Sequence, residues 1–286
     1  MLYAINDIKF GVSKGDFLAL SKTITHIENQ QPGTSDYVQG LLSNKIPVIG
    51  ITGPPGAGKS TLIAAVIGAL VQEGKTIAVL SVDPSSVLHH GALLGDRIRM
   101  NAINHSNVYM RSLATRTDKS SISDSIDNMI ELCKEEGFDA IIIETAGVGQ
   151  NDASIVDHVT IPMYVMTPEF GAPTQLEKIN MIDYARIIGI NKFDRAGGLD
   201  ALRDVRKQYN RSHHIFDQPS KSSPVFGTIA SHYSDPGMQA MYNAFIMQIN
   251  ALHQTNFKVL ENVVAYDEKN IVAPTIPNKR NAYLSE

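Results

Sequence analysis

Eight residues constrain this chain more than any others. Gly53-Pro54-Pro55-Gly56-Ala57-Gly58-Lys59-Ser60 match the pattern G-x-x-x-x-G-K-[ST]. A short apolar run, 46–50, precedes them, and a stretch of helical composition, 61–70, follows. Glycines at these spacings let backbone N–H groups turn inward around an anion without Cβ clashes. A helix that starts there adds the partial positive charge of its N-terminus. The pattern predicts a strand–loop–helix unit that cradles phosphate. Lys59 reaches the terminal phosphates, the Ser60 hydroxyl ligates Mg2+, and Thr61 completes the binding set. The competing reading, a chance glycine-rich turn, leaves the flanking strand and helix unexplained.

The rest of the chain repeats this alternation. Apolar runs at 76–82, 108–110, 140–143, 163–166, 187–190 and 225–229 read as strands, with helical stretches between them, 122–136 being clearly amphipathic. Strands that are apolar throughout belong to a mostly parallel sheet with helices on both faces, so the fold class is α/β, a P-loop NTPase. Ligands of such sheets bind at the carboxyl ends of the strands. Ahead of this unit, 1–44 reads as a helical lead-in. Leu18, Leu20, Ile24 and Ile27 form an apolar face for packing on the main domain or on a second copy. The domain proper is expected over 45–252, and 253–286 as an extension or linker around Pro274 and Pro277.

Acidic residues follow two of the strands. Asp83 ends the second, Asp96 lies in the loop beyond it, and Glu144 ends the fourth, just before Thr145-Ala146-Gly147. Three carboxylates and the Ser60 hydroxyl make a hard-cation set suited to Mg2+, largely through waters. The Gly147 N–H can face a γ-phosphate. For each carboxylate alone, a helix cap or surface charge is the plainer alternative. Asn191-Lys192-Phe193-Asp194 follows the apolar run 187–190. An Asn-Lys-x-Asp element at a strand end reads guanine: its Asp accepts two N–H bonds that adenine cannot offer, and a wrong base leaves the site's polar groups unpaired. The element selects GTP over ATP, with Ser231, in Thr228-Ile229-Ala230-Ser231, as a further base contact.

Together, Val82-Asp83-Pro84-Ser85-Ser86, Gly95-Asp96-Arg97-Ile98-Arg99-Met100, Glu144-Thr145-Ala146-Gly147-Val148-Gly149-Gln150 and Asn191-Lys192-Phe193-Asp194 resemble the MeaB/ArgK GTPases. Longer stretches, such as 91–104, 108–116 and 226–231, are more similar still to the GTPase domain of fused isobutyryl-CoA mutases. The resemblance covers roughly 45–250 and implies a partner, an adenosylcobalamin-dependent acyl-CoA mutase, whose cofactor loading or protection the GTPase gates. It implies a homodimer or a subunit of a larger complex. It also implies that Arg99 approaches the phosphates when a partner closes the site, that Asp96 stands on the magnesium side, and that Gln150 with 151–157 forms a nucleotide-sensitive switch. Lys59, Arg99 and Glu144 are the catalytic candidates. No base for the attacking water is evident, so intrinsic turnover is expected to be slow. The chain departs from the fused proteins in lacking an Asp-x-His-x-x-Gly signature, and its 286 residues cannot also hold a barrel of about 250. A stand-alone subunit and an excised domain both remain open; the tail 277–285, which resembles the start of the fused linker, favours the second.

Composition narrows the alternatives. The net charge is −4 and no block of five like charges occurs, which argues against nucleic acid and anionic membrane as partners. No apolar run reaches the roughly 18 residues of a spanning helix, the start lacks a signal-peptide pattern, and Cys133 is the single cysteine, so a cytoplasmic location is expected. A nickel or cobalt metallochaperone of the same broad family would need Cys or His ligands. Cys133 reads as a packed thiol, and His89-His90 and His213-His214 as solvent contacts. A nucleotide-switched adaptor with negligible turnover is a further alternative. The residues Met163, Tyr164, Met166 and Phe170 read mostly as core, and 203–207 as a solvated helix face.

Overall fold

A computed structural model of the chain describes residues 17–29, 31, 33–39, 41, 45–84, 105–115, 121–145, 149–216, 222–232 and 234–266; at 35, 36, 83, 84, 114, 115, 121–124 and 149–152 the backbone alone is described. The strands are β1 (Val48–Thr52), β2 (Ile77–Pro84), β3 (Val108–Thr115), β4 (Ala140–Thr145), β5 (Ile161–Met166), β6 (Ile187–Asn191) and β7 (Val225–Thr228). The helices are α1 (Phe17–Glu28), α2 (Thr34–Gln39), α3 (Lys59–Gln72), α4 (Ser121–Glu135), α5 (Pro173–Leu176), α6 (Gly198–Ser212) and α7 (Pro236–His253), with 3-10 turns at Gly149–His158, Pro168–Phe170 and Asn180–Asp183.

The strands form one sheet in the order β3-β2-β4-β1-β5-β6-β7, every pair parallel. A parallel sheet needs cover on both faces, and the side-chain alternation delivers two apolar layers. Ile49, Ile51, Val79, Ile142, Met163 and Val165 face α3 and α7. Val48, Leu80, Ile141, Ile143, Tyr164 and Met166 face the other way, toward α1, α4, α6 and the turn Gly149–His158. That turn lies close on β1: a Cβ at Gly50 would meet Ile155 Cδ1 and Val159 Cγ2 at 2.9 Å.

The helical lead-in packs in the second layer. Leu20, Ile24 and Ile27 are buried there, whereas Leu18 is 65% exposed, so only three of the four residues read as one apolar face belong to it. Phe17 stacks on Phe138 and meets Tyr109 of β3. The edge strand β3 runs five residues past its apolar stretch. Its Arg111 donates to Thr25 Oγ1 at 2.9 Å and pairs with Glu28, both on α1. A polar residue in a strand looks like its end until the helix carrying its partners is in place.

Met163, Tyr164 and Met166 are buried, Phe170 is 37% exposed, and Cys133 is fully buried. Burial pushes the Cys133 thiol far up, so it is an unreactive core group. The stretch 203–207 is not a uniformly solvated face. Arg203 and Lys207 are exposed, but Arg206 is buried and donates to the Val225 carbonyl at 3.2 Å. Among the described residues, no helix is long and apolar enough to cross a membrane.

Candidate functional site

The carboxyl ends of β1, β4, β6 and β7 meet at one edge of the sheet, and the loops leaving them carry the candidate residues. Three glycines of the loop after β1 have positive φ, Gly53, Gly56 and Gly58, and at two of them the space is closed to a side chain as well. Gly58 has φ 88 and caps α3 at its N-terminus; having no side chain, it leaves the first amides of the helix unmasked. A Cβ on it would stand 2.3 Å from Asn191 Nδ2. Gly53 has φ 149, and a Cβ there would fall 1.9 Å from the Val165 carbonyl oxygen of β5. The loop can therefore lie against β5 and the β6 loop only with glycine at both places. Pro55 and Gly56 are exposed at its crest, while Pro54 and Ala57 lie below it.

Lys59 opens α3 and is 8% exposed, its ammonium donating to the Gly53 carbonyl at 2.8 Å and the Pro54 carbonyl at 3.3 Å. The Ser60 hydroxyl donates to Glu144 Oε1 at 2.8 Å. Glu144, 5% exposed, stands beside Ile51 of β1 and Ser81 of β2 in the ladder. This hydroxyl–carboxylate pair supplies hard oxygen donors at the foot of the phosphate loop, as a small divalent cation requires. Thr61 is exposed on the first turn of α3. Asp83 is the last residue but one of β2, opposite Ala114 of β3, with only its backbone described. Asp96, Arg99 and Gly147 lie outside the described residues, as do His89 and His90; of Gln150 only the backbone is described. Among the described residues no group of three or more His, Cys, Asp and Glu side chains forms a metal site.

The loop after β6 joins the phosphate loop directly. Asn191, 3% exposed, donates from Nδ2 to the Ala57 carbonyl at 2.8 Å and accepts the Ala230 N–H on Oδ1 at 3.0 Å. Lys192 adopts φ 56, a left-handed conformation uncommon outside glycine, and its ammonium donates to the Gly56 carbonyl at 2.6 Å. Asp194 and Ser231 are both exposed at the rim. The structure thus brings Gly53–Ser60, Glu144, Asn191, Lys192, Asp194 and Ser231 to one edge.

Other residues here have no motif to announce them. Asp235 is 3% exposed and caps α7, its Oδ2 accepting the Met238 N–H at 2.7 Å and the Ile229 N–H at 3.0 Å. Arg195 donates to Glu169 Oε1 at 2.6 Å and ties the β6 loop to the turn after β5. The Thr167 hydroxyl, and then Arg195, hold the Glu169 carboxyl down at about 2. Tyr266 stacks on Phe193. An Asp before Pro236 is a readable helix-cap signal; the aromatic stack is not readable, because its partners are 73 residues apart. His213 donates from Nε2 to the Ile182 carbonyl at 3.0 Å and stacks on Tyr209.

Comparison with known proteins agrees with this geometry. The family profile described as "Methylmalonyl Co-A mutase-associated GTPase MeaB" matches residues 20–276. A fused isobutyryl-CoA mutase of Geobacillus kaustophilus is 48% identical over 284 residues, covering 95% of this chain and 26% of that protein. Another from Cupriavidus metallidurans is 44% identical over 286 residues, covering 96% and 26%. A protein of Pyrococcus horikoshii, provisionally named a GTPase, is 30% identical over 289 residues, covering 99% of this chain and 90% of that one. This chain spans about a quarter of the length of the fused relatives. Among solved structures, a LAO/AO transport system kinase superposes with a TM-score of 0.64 at 24% identity, over 88% of this chain and 78% of that one, which shows a shared fold. With a parallel sheet of P-loop GTPase type and a family match across most of its length, the chain belongs to the MeaB family of methylmalonyl-CoA mutase-associated GTPases.

Proposed function

We propose that the chain is a Mg2+-dependent GTPase acting as a G-protein chaperone, which gates cofactor loading or protection of an adenosylcobalamin-dependent acyl-CoA mutase. One observation carries the nucleotide half of this reading. Asn191 and Lys192 hydrogen-bond to the Ala57 and Gly56 carbonyls, so the base reader and the phosphate loop are one rigid frame. Such a frame fixes the distance between a guanine on Asp194 and phosphates under the Gly53–Ser60 loop. The family match and the fused relatives support the mutase half. Those relatives carry the similar region inside a longer chain, so the partner is a mutase present in trans or joined to this region, with the GTPase as a homodimer or a subunit of the larger complex.

Each residue then has a role. The amides of the loop and the N-terminus of α3 hold the phosphates in line for attack. Lys59 exchanges its loop carbonyls for phosphate oxygens and offsets charge as the bond to the leaving group breaks. Ser60 and Glu144, with Asp83 and Asp96, would hold Mg2+, which would supply charge neutralisation for the phosphates. Gly147 donates its N–H toward the γ-phosphate, and Arg99 adds a guanidinium when the partner aligns it. Asp194 accepts two guanine N–H bonds, with Ser231 at the rim of the base. The sequence offers no evident base for the attacking water, so turnover by the isolated protein is expected to be slow. Cys133, the single cysteine of the chain, is buried in the core and does not offer a thiolate to a delivered metal.

Hydrolysis measured with GTP and with ATP, each with Mg2+ and with chelator, tests the reading. It predicts Mg2+-dependent release of phosphate from GTP and not from ATP. Asp194→Asn is expected to weaken GTP by about tenfold or more and to narrow the preference over ATP. An unchanged preference in that variant contradicts the base-site assignment.

A further inference from the structure

The chain beyond α7 does more than leave the domain. Residues 254–266 run back along that helix, tied by side-chain amides rather than by a ladder. Asn250 donates to the Phe257 carbonyl and accepts the Phe257 N–H, both at 2.9 Å; Asn243 brackets Leu260 in the same way at 2.8 Å. Glu73 at the end of α3 accepts the Lys258 N–H at 3.1 Å. The segment then reaches Tyr266, only 7% exposed, whose ring stacks on Phe193 with centroids 5.4 Å apart and planes 17° from parallel.

Phe193 is the variable residue of Asn191-Lys192-Phe193-Asp194, and three glycines clear the space for this stack. A Cβ at Gly227 would lie 2.5 Å from the Phe193 ring, one at Gly198 would lie 2.6 Å from the Phe193 carbonyl oxygen, and one at Gly237 would lie 2.8 Å from Tyr266 Cδ2. The Tyr266 hydroxyl donates to Asp235 Oδ1. The other oxygen of that carboxylate holds the Ile229 N–H, next to the Ala230 N–H that Asn191 holds. Tyr266 therefore touches both loops that frame the base, by its ring on one side and its hydroxyl on the other. Burial, then the hydrogen bond to Asp235 and the charges of Asp235 and Asp194, push its phenol well above the usual range, so it stays a donor at any physiological pH.

We propose that Tyr266 is a positioning residue of the guanine site: its ring fixes the Asn191–Asp194 turn and its hydroxyl fixes the 229–235 loop. The segment 254–266 then sets how tightly the site takes a guanine nucleotide. Displacing that segment loosens the base reader. The inference rests on the GTP reading above.

The test uses the full chain with Tyr266→Phe and Tyr266→Ala. Binding of fluorescent GDP and IDP is measured alongside thermal melting and GTP turnover. IDP lacks the 2-amino group that Asp194 is expected to accept, so the GDP/IDP affinity ratio reports on the base reader itself. Tyr266→Ala is expected to weaken GDP by about tenfold or more and to shrink the GDP/IDP ratio, raising KM for GTP with kcat nearly unchanged. Tyr266→Phe, which keeps the stack and loses one hydrogen bond, is expected to show about a threefold shift in the same direction and to decide the matter if the alanine variant does not fold. GDP affinity and GDP/IDP ratio within about twofold of wild type in folded variants would overturn the proposal. So would equal losses for GDP and IDP tracking the melting temperature, which mark a merely structural role. A wild-type protein without guanine preference would instead overturn the GTP reading on which the proposal rests.

Discussion

Lys59 and Gly58 show how far single residues determine this site. The Lys59 ammonium rests on neutral carbonyls of its own loop, and a charged phosphate oxygen is a stronger acceptor. Lys59→Ala is expected to lower GTP affinity by about 10- to 100-fold, the worth of a charge-assisted hydrogen bond, with little loss of melting temperature. Titration with a fluorescent GTP analogue checks this. Gly58→Ala acts differently. It forces a Cβ into left-handed backbone and against Asn191 Nδ2, so the bond from Asn191 to Ala57 must break. The expected cost is about 1–2 kcal/mol of stability from the backbone alone, together with loss of nucleotide binding, read by denaturant unfolding and the same titration. Both residues were legible in the sequence, since the motif names them and its physics explains them. The bonds that Asn191 makes were not, because a four-residue motif specifies which side chains occur and not which carbonyl each one meets.

At the scale of elements, the lead-in helix α1 is part of the core. Leu20 is fully buried beneath it, so Leu20→Ala is expected to cost about 2–5 kcal/mol, measured by denaturant unfolding, while Leu18→Ala at its exposed neighbour costs little. The turn after α4 carries a pH-sensitive group. Glu136 is raised from 4.5 to about 8, first by burial and then by the charge of Glu135. A carboxyl raised in the folded state stabilises the fold while protonated, so its contribution is full below about pH 4.5 and is lost as pH rises toward 8. Glu136→Gln is therefore expected to melt at a higher temperature than wild type near pH 8.5 and at about the same temperature near pH 5, in paired thermal scans. Element positions followed from apolar runs in β1, β4, β5 and β6. They failed for the far half of β3, where Arg111 needs α1 to be satisfied; in 254–266, read as an extension or linker, the bonds to α7 side chains leave no periodicity to read.

At the scale of the whole molecule, the strand order puts β1 at the centre, between β4 and β5, and so gathers the loops that follow β1, β4, β6 and β7 along one edge. That edge is where doubly wound sheets bind ligands. Fold class and family were legible because strand-end motifs and an α/β rhythm reinforce one another. The bonds from the β6 loop to the phosphate loop, and the return of the chain to Tyr266, depend on contacts between residues more than 70 positions apart. The most direct measurement is GTP hydrolysis by the purified protein with and without an adenosylcobalamin-dependent acyl-CoA mutase, with ATP as control. Slow hydrolysis of GTP alone, raised severalfold by the mutase while ATP stays inert, is the predicted result. A GTP rate that no such mutase changes, or a fast rate without any partner, would contradict the account.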